Sequence, residues 1–447
     1  MSHEDMTDAL RADLTAVPLM DVHTHLTGGR LGARGLHDIL LYHMVVSDLY
    51  AAGVPNGRRL TEFPGWPERD EAHARLREAI PYLEKIANTS CFWGVRIILR
   101  DLYDWHEPLT DGNWERLDAR VRERADDRGW QREIMRRANI SRAVTELSRR
   151  DQGQDDDILH YSMEWAFFTR IQQNEFDTAL CELENCWGLP PGPPRSLAPG
   201  RRTPPLRRIR TLEDVHAALT HYVQQLAAAP VISMATHLSG DIFLRPVSDE
   251  AMRAALLKRE HAGQAERDVY AAYIHEAFLT ALAPHADRVV FQASMAAEPL
   301  PHETGSLVPQ RALAELAACV SRHPAIRFVI FLSSRHANQS LCTFCRELPN
   351  LALAGYWWHN FFPGAMRQVM EERLDMLPAN KQLGFFSDAY CIEWSYAKAV
   401  MVRTQLAQVL AQKVTQGQYR RDEALRIARA ILYDSAQGLL GMKAPMN

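Results

Sequence analysis

Short apolar segments alternate with longer helical segments along most of this chain, and the alternation restricts the possible folds more than any other feature. Apolar segments separated by helices cannot be joined by tight hairpin turns, so we expect them to pair as parallel strands buried on both faces. Strands and helices alternating over 447 residues predict an α/β fold, a (β/α)8 TIM-type barrel. The strands predicted after the first are residues 140–145, 231–237, 288–293, 326–332, 351–357 and 383–387.

The segments outside the strands are predicted to form helical insertions and, at the end of the chain, a helical cap. Apolar residues recur at helical spacing in residues 396–414 and 422–440, which is typical of helices that pack one face on a core. Residues 36–50 and 114–137 are each predicted as one helix. Seven prolines within residues 186–210 exclude regular structure, so we interpret that segment as a Pro-rich inserted surface loop.

Charge and cysteine content exclude several classes of protein. A formal net charge of -4 leaves no basic surplus for binding nucleic acid or an acidic membrane surface. Seven cysteines, an odd number in a long chain, do not predict a disulfide framework. No apolar run approaches the roughly 18 residues of a membrane span, and residues 1–17 lack the apolar core of a signal peptide. We therefore expect a cytoplasmic protein that binds neither nucleic acid nor membrane.

Two histidines one residue apart lie at the end of the first predicted strand, within Pro18–Leu26. Alternate side chains of a strand point to the same face, so His23 and His25 can converge on one ion. Imidazole nitrogen is a common ligand of zinc, and two imidazoles on one rigid strand supply half a coordination shell. The alternative is a strand that carries two histidines and binds no metal.

An aspartate follows the last predicted strand. Asp388 either caps the helix that comes after it or serves as a ligand. Because the first and last strands of a barrel are neighbours, Asp388 is expected to face His23 and His25, which together make a three-ligand site open to water or substrate oxygens. The sequence therefore predicts one metal-dependent barrel domain over residues 1–447 that holds one divalent ion, zinc.

Four segments resemble the uronate isomerase (glucuronate isomerase) family, a branch of the amidohydrolase superfamily of metal-dependent barrels. They are Asp21–Leu26, the predicted helix with His43 that ends at Ala51–Val54, the segment Gly355–Asn360 with its paired tryptophans, and Ser387–Tyr390 with the closing helix. The His-x-His pair and the final aspartate are shared by the whole superfamily. The paired tryptophans and the helix with His43 are more specific to this branch.

The resemblance implies a role for each matching residue. His23, His25 and Asp388 would hold the ion against the carbonyl and hydroxyl oxygens of a sugar, and Asp388 would also move the proton at C2. His43 would assist this proton transfer, and His237, at the end of a middle strand, would line the pocket. A metal that polarises the carbonyl acidifies the neighbouring C–H bond, which a carboxylate can then deprotonate.

The chain departs from the family pattern in the residues expected around the substrate. The family's final strand ends Asp-Ser-Arg, whereas this chain has Tyr390 in the place of the arginine. Arg170 is the candidate by position for binding a substrate carboxylate, a group that arginine recognises with two parallel hydrogen bonds. Trp358, His359 and Tyr390 are the other predicted substrate contacts. The pattern indicates a conserved metal site with an altered substrate pocket.

The function predicted on these grounds is a metal-dependent aldose–ketose isomerase that acts on a hexuronate or related sugar acid through an enediol. One alternative is a mononuclear metal-dependent hydrolase that activates water to cleave an ester, lactone or amide. Another is a non-catalytic homologue that keeps the ligands. The expected partner is a small-molecule substrate, and the sequence is compatible with a homo-oligomer.

Overall fold

The computed structural model describes residues 2–55, 69–164, 176–187, 207–238, 244–295 and 308–441. Within them, eight strands form one parallel sheet in the order of the chain. The strands are β1 (Leu19–Asp21), β2 (Ile140–Glu146), β3 (Leu159–Glu164), β4 (Val231–Leu238), β5 (Val290–Met295), β6 (Phe328–Leu332), β7 (Leu351–Ala354) and β8 (Gln382–Leu383).

Helices surround the strands and, except between β2 and β3, connect one to the next. Seven helices of the described residues precede β2: α1 (His3–Ala16), α2 (Leu36–Leu40), α3 (His43–Ala51), α4 (Arg69–Ala79), α5 (Ser90–Tyr103), α6 (Trp114–Arg124) and α7 (Arg128–Ala138). The later ones are α8 (Phe176–Trp187), α9 (Leu212–Ala228), α10 (Asp249–Leu257), α11 (Gln264–Leu282), α12 (Gln310–Arg322), α13 (Asn338–Glu347), α14 (Pro363–Met376), α15 (Ile392–Thr415), α16 (Arg421–Arg429) and α17 (Ser435–Leu439).

The barrel closes where the chain beyond β1 meets the chain beyond β8. The Val22 amide donates to the Phe385 carbonyl at 3.2 Å, the Asp388 amide to the His23 carbonyl at 3.0 Å, and the His25 amide to the Ala389 carbonyl at 2.8 Å. These bonds join the two ends of the curled sheet. The predicted (β/α)8 TIM-type fold is confirmed.

The end of the chain closes the amino-terminal end of the barrel. A π-helical turn, Ala430–Asp434, leads into α17, and Tyr433 and Ala436 are buried with strand residues of the barrel interior. The Gly384 amide donates to the Ile431 carbonyl at 2.8 Å. An alanine Cβ at position 384 would lie 2.3 Å from Ile431 Cγ2, so only glycine permits this close approach. Residues 430–439 of the predicted C-terminal helical cap therefore close the barrel at the amino-terminal ends of its strands.

Two predicted helices are each divided in two. The segment 36–50 is interrupted at Leu41 and Tyr42, where Tyr42 adopts an extended backbone and starts α3. The segment 114–137 is interrupted at Asp127, whose carboxylate accepts a hydrogen bond from the Trp130 amide and caps α7. The first interruption turns Tyr42 and His43 towards Asp388, beyond the carboxyl end of β8.

The predictions missed β3 and set different limits for several strands. Strand β3 alternates polar and apolar residues, with His160 and Ser162 among them, instead of the continuous apolar run that identified the others. Strand β7 ends before Gly355, whose φ of 47° leaves the strand conformation.

The Pro-rich segment lies mostly in residues 188–206, outside the described residues. Its first two residues, Cys186 and Trp187, belong to α8, and residues 207–210 have no regular structure. Its assignment as an inserted loop, like the single-domain assignment of residues 1–447, stays a prediction. No helix in the described part of the chain combines the length and the apolar character that a membrane span requires.

Candidate metal centre

Two histidines and one aspartate converge at the point where the barrel closes. His25 Nε2 lies 3.1 Å from Asp388 Oδ1, and His23 Nε2 lies 3.8 Å from the same oxygen. The ligand atoms of the three residues all lie within 4.8 Å of one another. The backbone bonds between the two ends of the sheet place these side chains together, as predicted from barrel closure. Two imidazoles and a carboxylate in this arrangement fit one divalent ion.

The backbone of Asp388 directs its two carboxylate oxygens to different partners. Its φ of 55° lies in the left-handed region, which costs a non-glycine residue about 1–2 kcal/mol. Its carbonyl accepts a hydrogen bond from the Tyr42 hydroxyl at 3.0 Å, which helps to hold this conformation. Oδ1 faces the two histidines, whereas Oδ2 accepts a bond from Trp357 Nε1 at 3.2 Å and lies 3.5 Å from His43 Nε2. The two oxygens of one carboxylate thus face different groups, Oδ1 the two histidines and Oδ2 the pair Trp357 and His43.

A second carboxylate orients His25 from the opposite side of the ring. His25 Nδ1 lies 2.8 Å from Oε1 of Glu146, the last residue of β2. Burial alone would lower the pKa of His25, but hydrogen bonds to Asp388 and Glu146 outweigh it and raise this pKa to about 9. A carboxylate behind a histidine ligand fixes the ring and its tautomer. An ion that binds Nε2 must displace a proton, so metal binding should weaken as the pH falls.

His23 and His43 have the opposite electrostatic character. Burial, the largest effect, lowers the pKa of each to about 4, so both rings are neutral near neutral pH. A neutral ring is the form that binds a metal or accepts a proton. His43 Nε2 is buried and has no hydrogen-bond partner among the described residues, although it lies close to Asp388 Oδ2. An unsatisfied buried nitrogen beside a carboxylate is a group that a ligand can satisfy.

Aromatic side chains form the walls around this cluster. Trp358 stacks on His43 with ring centroids 5.3 Å apart, and its φ of 53° is also left-handed. Tyr390 stacks on His25 at 4.5 Å and is half exposed, which places it at the mouth of the site. His237, at the end of β4, pairs its Nδ1 with the Ser294 hydroxyl at 2.8 Å. Its ring centroid is 6.4 Å from that of Trp357.

Two predicted substrate contacts cannot be placed by their side chains. Arg170 lies outside the described residues. His359 belongs to the short helical turn Trp358–Phe361, but its side chain is outside what the structure describes. The substrate roles assigned to these residues, and to Trp358, Tyr390 and His237, stay predictions.

Arg149 is a cation at the site that the sequence analysis missed. It follows β2, its Nε donates to Glu146 Oε2 at 3.1 Å, and its guanidinium carbon lies 5.5 Å from the ring centroid of Tyr390. The signal was its position three residues after Glu146, at the carboxyl end of a strand, where barrels carry functional groups. Arg149 therefore places a positive charge beside the residue that replaces the family arginine.

Lys398 is a second cation that the sequence analysis missed. Its ammonium donates to the Tyr42 hydroxyl at 2.8 Å and to the Ser387 carbonyl at 2.5 Å, and burial lowers its pKa to about 8. The residue lies inside the apolar stretch of α15, where a lysine is easily overlooked. It supports Tyr42, which in turn holds the Asp388 carbonyl, so Lys398 lies behind the site.

The first strand of this parallel barrel leads into two histidines that face an aspartate beyond the eighth strand, which makes a candidate site for one metal ion at the carboxyl ends of the strands. No family model matches the sequence, and no curated protein matches it. Solved structures do match. The fold of this chain is that of uronate and glucuronate isomerases, which confirms, for the fold, the resemblance found in the sequence.

Three solved structures illustrate the similarity, each at low sequence identity. Glucuronate isomerase from Caulobacter crescentus has a TM-score of 0.78 at 14% identity, with 100% of this chain and 95% of that chain covered. Uronate isomerase from Thermotoga maritima has a TM-score of 0.76 at 13% identity, with 98% and 97% covered. A protein provisionally described as a metal-dependent hydrolase from Lactobacillus casei has a TM-score of 0.59 at 14% identity, with 97% of each chain covered.

Proposed function

We propose that this chain is a metal-dependent isomerase that interconverts the aldose and ketose forms of a hexuronate or related sugar acid through an enediol. The observation that carries the proposal is that the two carboxylate oxygens of Asp388 have different neighbours. Oδ1 faces His23 and His25, whereas Oδ2 faces His43. A hydrolase needs a base for water, but an isomerase needs a base beside a substrate C–H bond. The structural similarity to the uronate isomerase of Thermotoga maritima and the glucuronate isomerase of Caulobacter crescentus supports the isomerase.

His23, His25 and Asp388 would hold one divalent ion, for which zinc is our assignment, since imidazole and carboxylate ligands suit it. When bound, such an ion polarises a substrate carbonyl and makes the adjacent C–H bond more acidic. Asp388 Oδ2 would accept the proton from C2 and return it to C1. The pKa of Asp388 is held well below its usual range by His25 despite the opposing effect of burial, so the carboxylate is ionised at neutral pH.

His43 would move the second proton of the reaction. Conversion of an aldose to a ketose requires a proton to leave the C2 hydroxyl and another to reach the oxygen at C1. The neutral ring of His43 lies 3.5 Å from Asp388 Oδ2 and stacks on Trp358, which fixes its plane. An imidazole held this way can exchange a proton with a substrate hydroxyl while Asp388 works at carbon.

Arg149 would receive the carboxylate of the sugar acid. It supplies a positive charge near position 390, where the family pattern has an arginine and this chain has Tyr390, which contacts both Arg149 and His25. Arg149 Nε is engaged by Glu146, and the side chain is 29% exposed. A guanidinium at the mouth of the site favours an acidic over a neutral sugar.

The test is hydrogen exchange at carbon. Metal-loaded protein, given hexuronates, aldonates and neutral aldoses in heavy water, should place deuterium on a carbon of an acidic sugar. Asp388→Asn should abolish this exchange, because an amide cannot accept the proton. Asp126→Asn, which alters a surface aspartate paired with Arg30, is the matched control and should leave the exchange unchanged. Absence of carbon exchange with every sugar acid would refute the isomerase.

A hydrolase is the second candidate, favoured by the description of the Lactobacillus casei structure. The same three ligands can activate a water molecule, and cleavage of an ester, lactone or amide would then proceed without breaking a C–H bond. Release of acid from a lactone or ester, with no deuterium on carbon, would favour this function. A protein that shows neither reaction while it binds metal would be the non-catalytic homologue.

A further inference from the structure

A second group of metal-ligating side chains lies in the helical layer, between α11 and α12. Glu276 belongs to α11, Cys319 to α12, and His323 follows the last residue of α12. Ligand atoms of the three residues lie within 4.8 Å of one another. Cys319 and His323 are four residues apart, so they share one face of the helix and both point at Glu276.

The group is buried, and one nitrogen in it is unsatisfied. Cys319 is 2% exposed and His323 is 8% exposed. His323 Nε2 is buried, lies 3.1 Å from Glu276 Oε1 as an ion pair, and meets the criteria for a hydrogen bond with no described residue. Buried polar groups without a hydrogen bond are uncommon in folded proteins. A nitrogen and an oxygen at this separation can also be two ligands of one ion.

An ion-pair network without metal accounts for only part of this arrangement. Arg322 donates to both carboxylate oxygens of Glu276, from Nη2 to Oε2 at 2.9 Å and from Nε to each oxygen at 3.3 Å, and to the Leu244 carbonyl at 3.1 Å. Glu276 Oε1 also lies 3.1 Å from His323 Nε2. This network gives no role to Cys319, whose pKa burial raises to about 12. The thiol is therefore protonated unless a cation with affinity for sulfur displaces its proton.

We propose that Glu276, Cys319 and His323 bind a zinc ion that fastens α12 to α11. Sulfur, nitrogen and carboxylate ligands in one site favour zinc over magnesium or calcium, which prefer oxygen ligands alone. The two helices precede and follow β5, so the ion joins the elements on either side of that strand. The site uses no residue of the barrel mouth, and its existence does not depend on the proposed reaction.

Binding of Co²⁺ tests the proposal, because the absorption spectrum of bound Co²⁺ shows whether one of its ligands is a cysteine sulfur. Co²⁺ substitutes for zinc, and a cysteine ligand gives it a sulfur-to-metal charge-transfer band in the near ultraviolet. The residues proposed as ligands at the barrel mouth include no sulfur. Full-length protein stripped of metal by a chelator and titrated with Co²⁺ should therefore develop this band, and zinc should abolish it. Absence of the band in the unsubstituted protein would overturn the proposal.

Variants assign the band to a site. The double variant His23→Ala/His25→Ala should retain the band, whereas Cys319→Ser should lose it. The zinc content of each of these two variants should be one ion per chain, compared with two in the unsubstituted protein. Cys342→Ser, at a buried cysteine of α13 outside the group, is the control and should keep the band. If Cys319→Ser does not fold, His323→Gln and Glu276→Gln provide the test, with weakened cobalt binding expected. A band that persists in Cys319→Ser, or cobalt affinity unchanged in both other variants, would refute the site.

Discussion

Replacing Glu146 with glutamine tests whether the carboxylate behind His25 strengthens metal binding by this histidine. The substitution Glu146→Gln keeps the size of the side chain and an oxygen near His25 Nδ1, but removes the negative charge that lies 2.8 Å from this nitrogen. The hydrogen bond changes from a charge-assisted one, worth about 2–3 kcal/mol, to a neutral one worth about 1 kcal/mol. Both side chains are largely buried, so solvent screens little of the difference. We expect binding of zinc to weaken by about 1–2 kcal/mol, which is roughly 5- to 30-fold.

The assay is competition for zinc with a chelator of known affinity, followed by elemental analysis at equilibrium. Glu133→Gln is the matched control, since it removes a glutamate that pairs with Arg136 and Arg137 at the surface and should leave the affinity unchanged. Equal zinc affinity in Glu146→Gln and the unsubstituted protein would show that Glu146 does not act through His25. A loss as large as that of His25→Ala would mean instead that Glu146 is itself a ligand.

Three other predictions concern substrate, packing and pH. Arg149→Gln should raise KM for a sugar acid roughly a hundredfold, the loss of one charge-assisted contact, but leave KM for the neutral aldose unchanged in steady-state assays. Gly384→Ala forces its Cβ against Ile431 and should destabilise the protein by about 1–3 kcal/mol in urea unfolding, whereas Gly364→Ala meets no atom within 4 Å and should not. In metal-free protein the pKa of His25 is raised from 6.5 to about 9, so the stability from its protonation is complete below 6.5 and is lost as the pH rises to about 9. The free energy of unfolding should fall across that range, and His25→Gln should flatten the fall.

The barrel and the main ligands could be predicted because both depend on patterns along the chain. Apolar runs of strand length identified six of the strands after the first, and closure of the barrel then required His23, His25 and Asp388 to meet. Strand β3 could not be found in this way, since half of its residues are polar and one of them, Ser162, is buried with its hydroxyl donating to the Thr145 carbonyl.

The rest of the site depends on tertiary contacts between residues far apart in the chain, which the spacing of residues along the sequence does not predict. Arg149 and Lys398 reach the site by packing against Tyr390 and Tyr42, which lie hundreds of residues away in the chain. The break before His43 follows from the bond between Tyr42 and Asp388, a tertiary contact. The sequence analysis could not predict the second group of metal-ligating side chains for the same reason. Glu276 lies on a different helix from Cys319 and His323, so residue spacing does not connect them.

The position of the candidate metal ligands at the seam of the barrel couples metal binding to completion of the fold. His25 and Asp388 are 363 residues apart, and three backbone hydrogen bonds join the segments that carry them. Strand β8 itself has only two residues, so the backbone bonds at the seam are made mostly by residues beyond the ends of the strands. An ion bound there would link the segment beyond β1 to the segment beyond β8. Free metal at a thousand times its dissociation constant would add about 4 kcal/mol to the stability of the closed barrel. A chain still being synthesised cannot hold the ion until its last strand has emerged, so metal occupancy would report that both ends of the barrel have met.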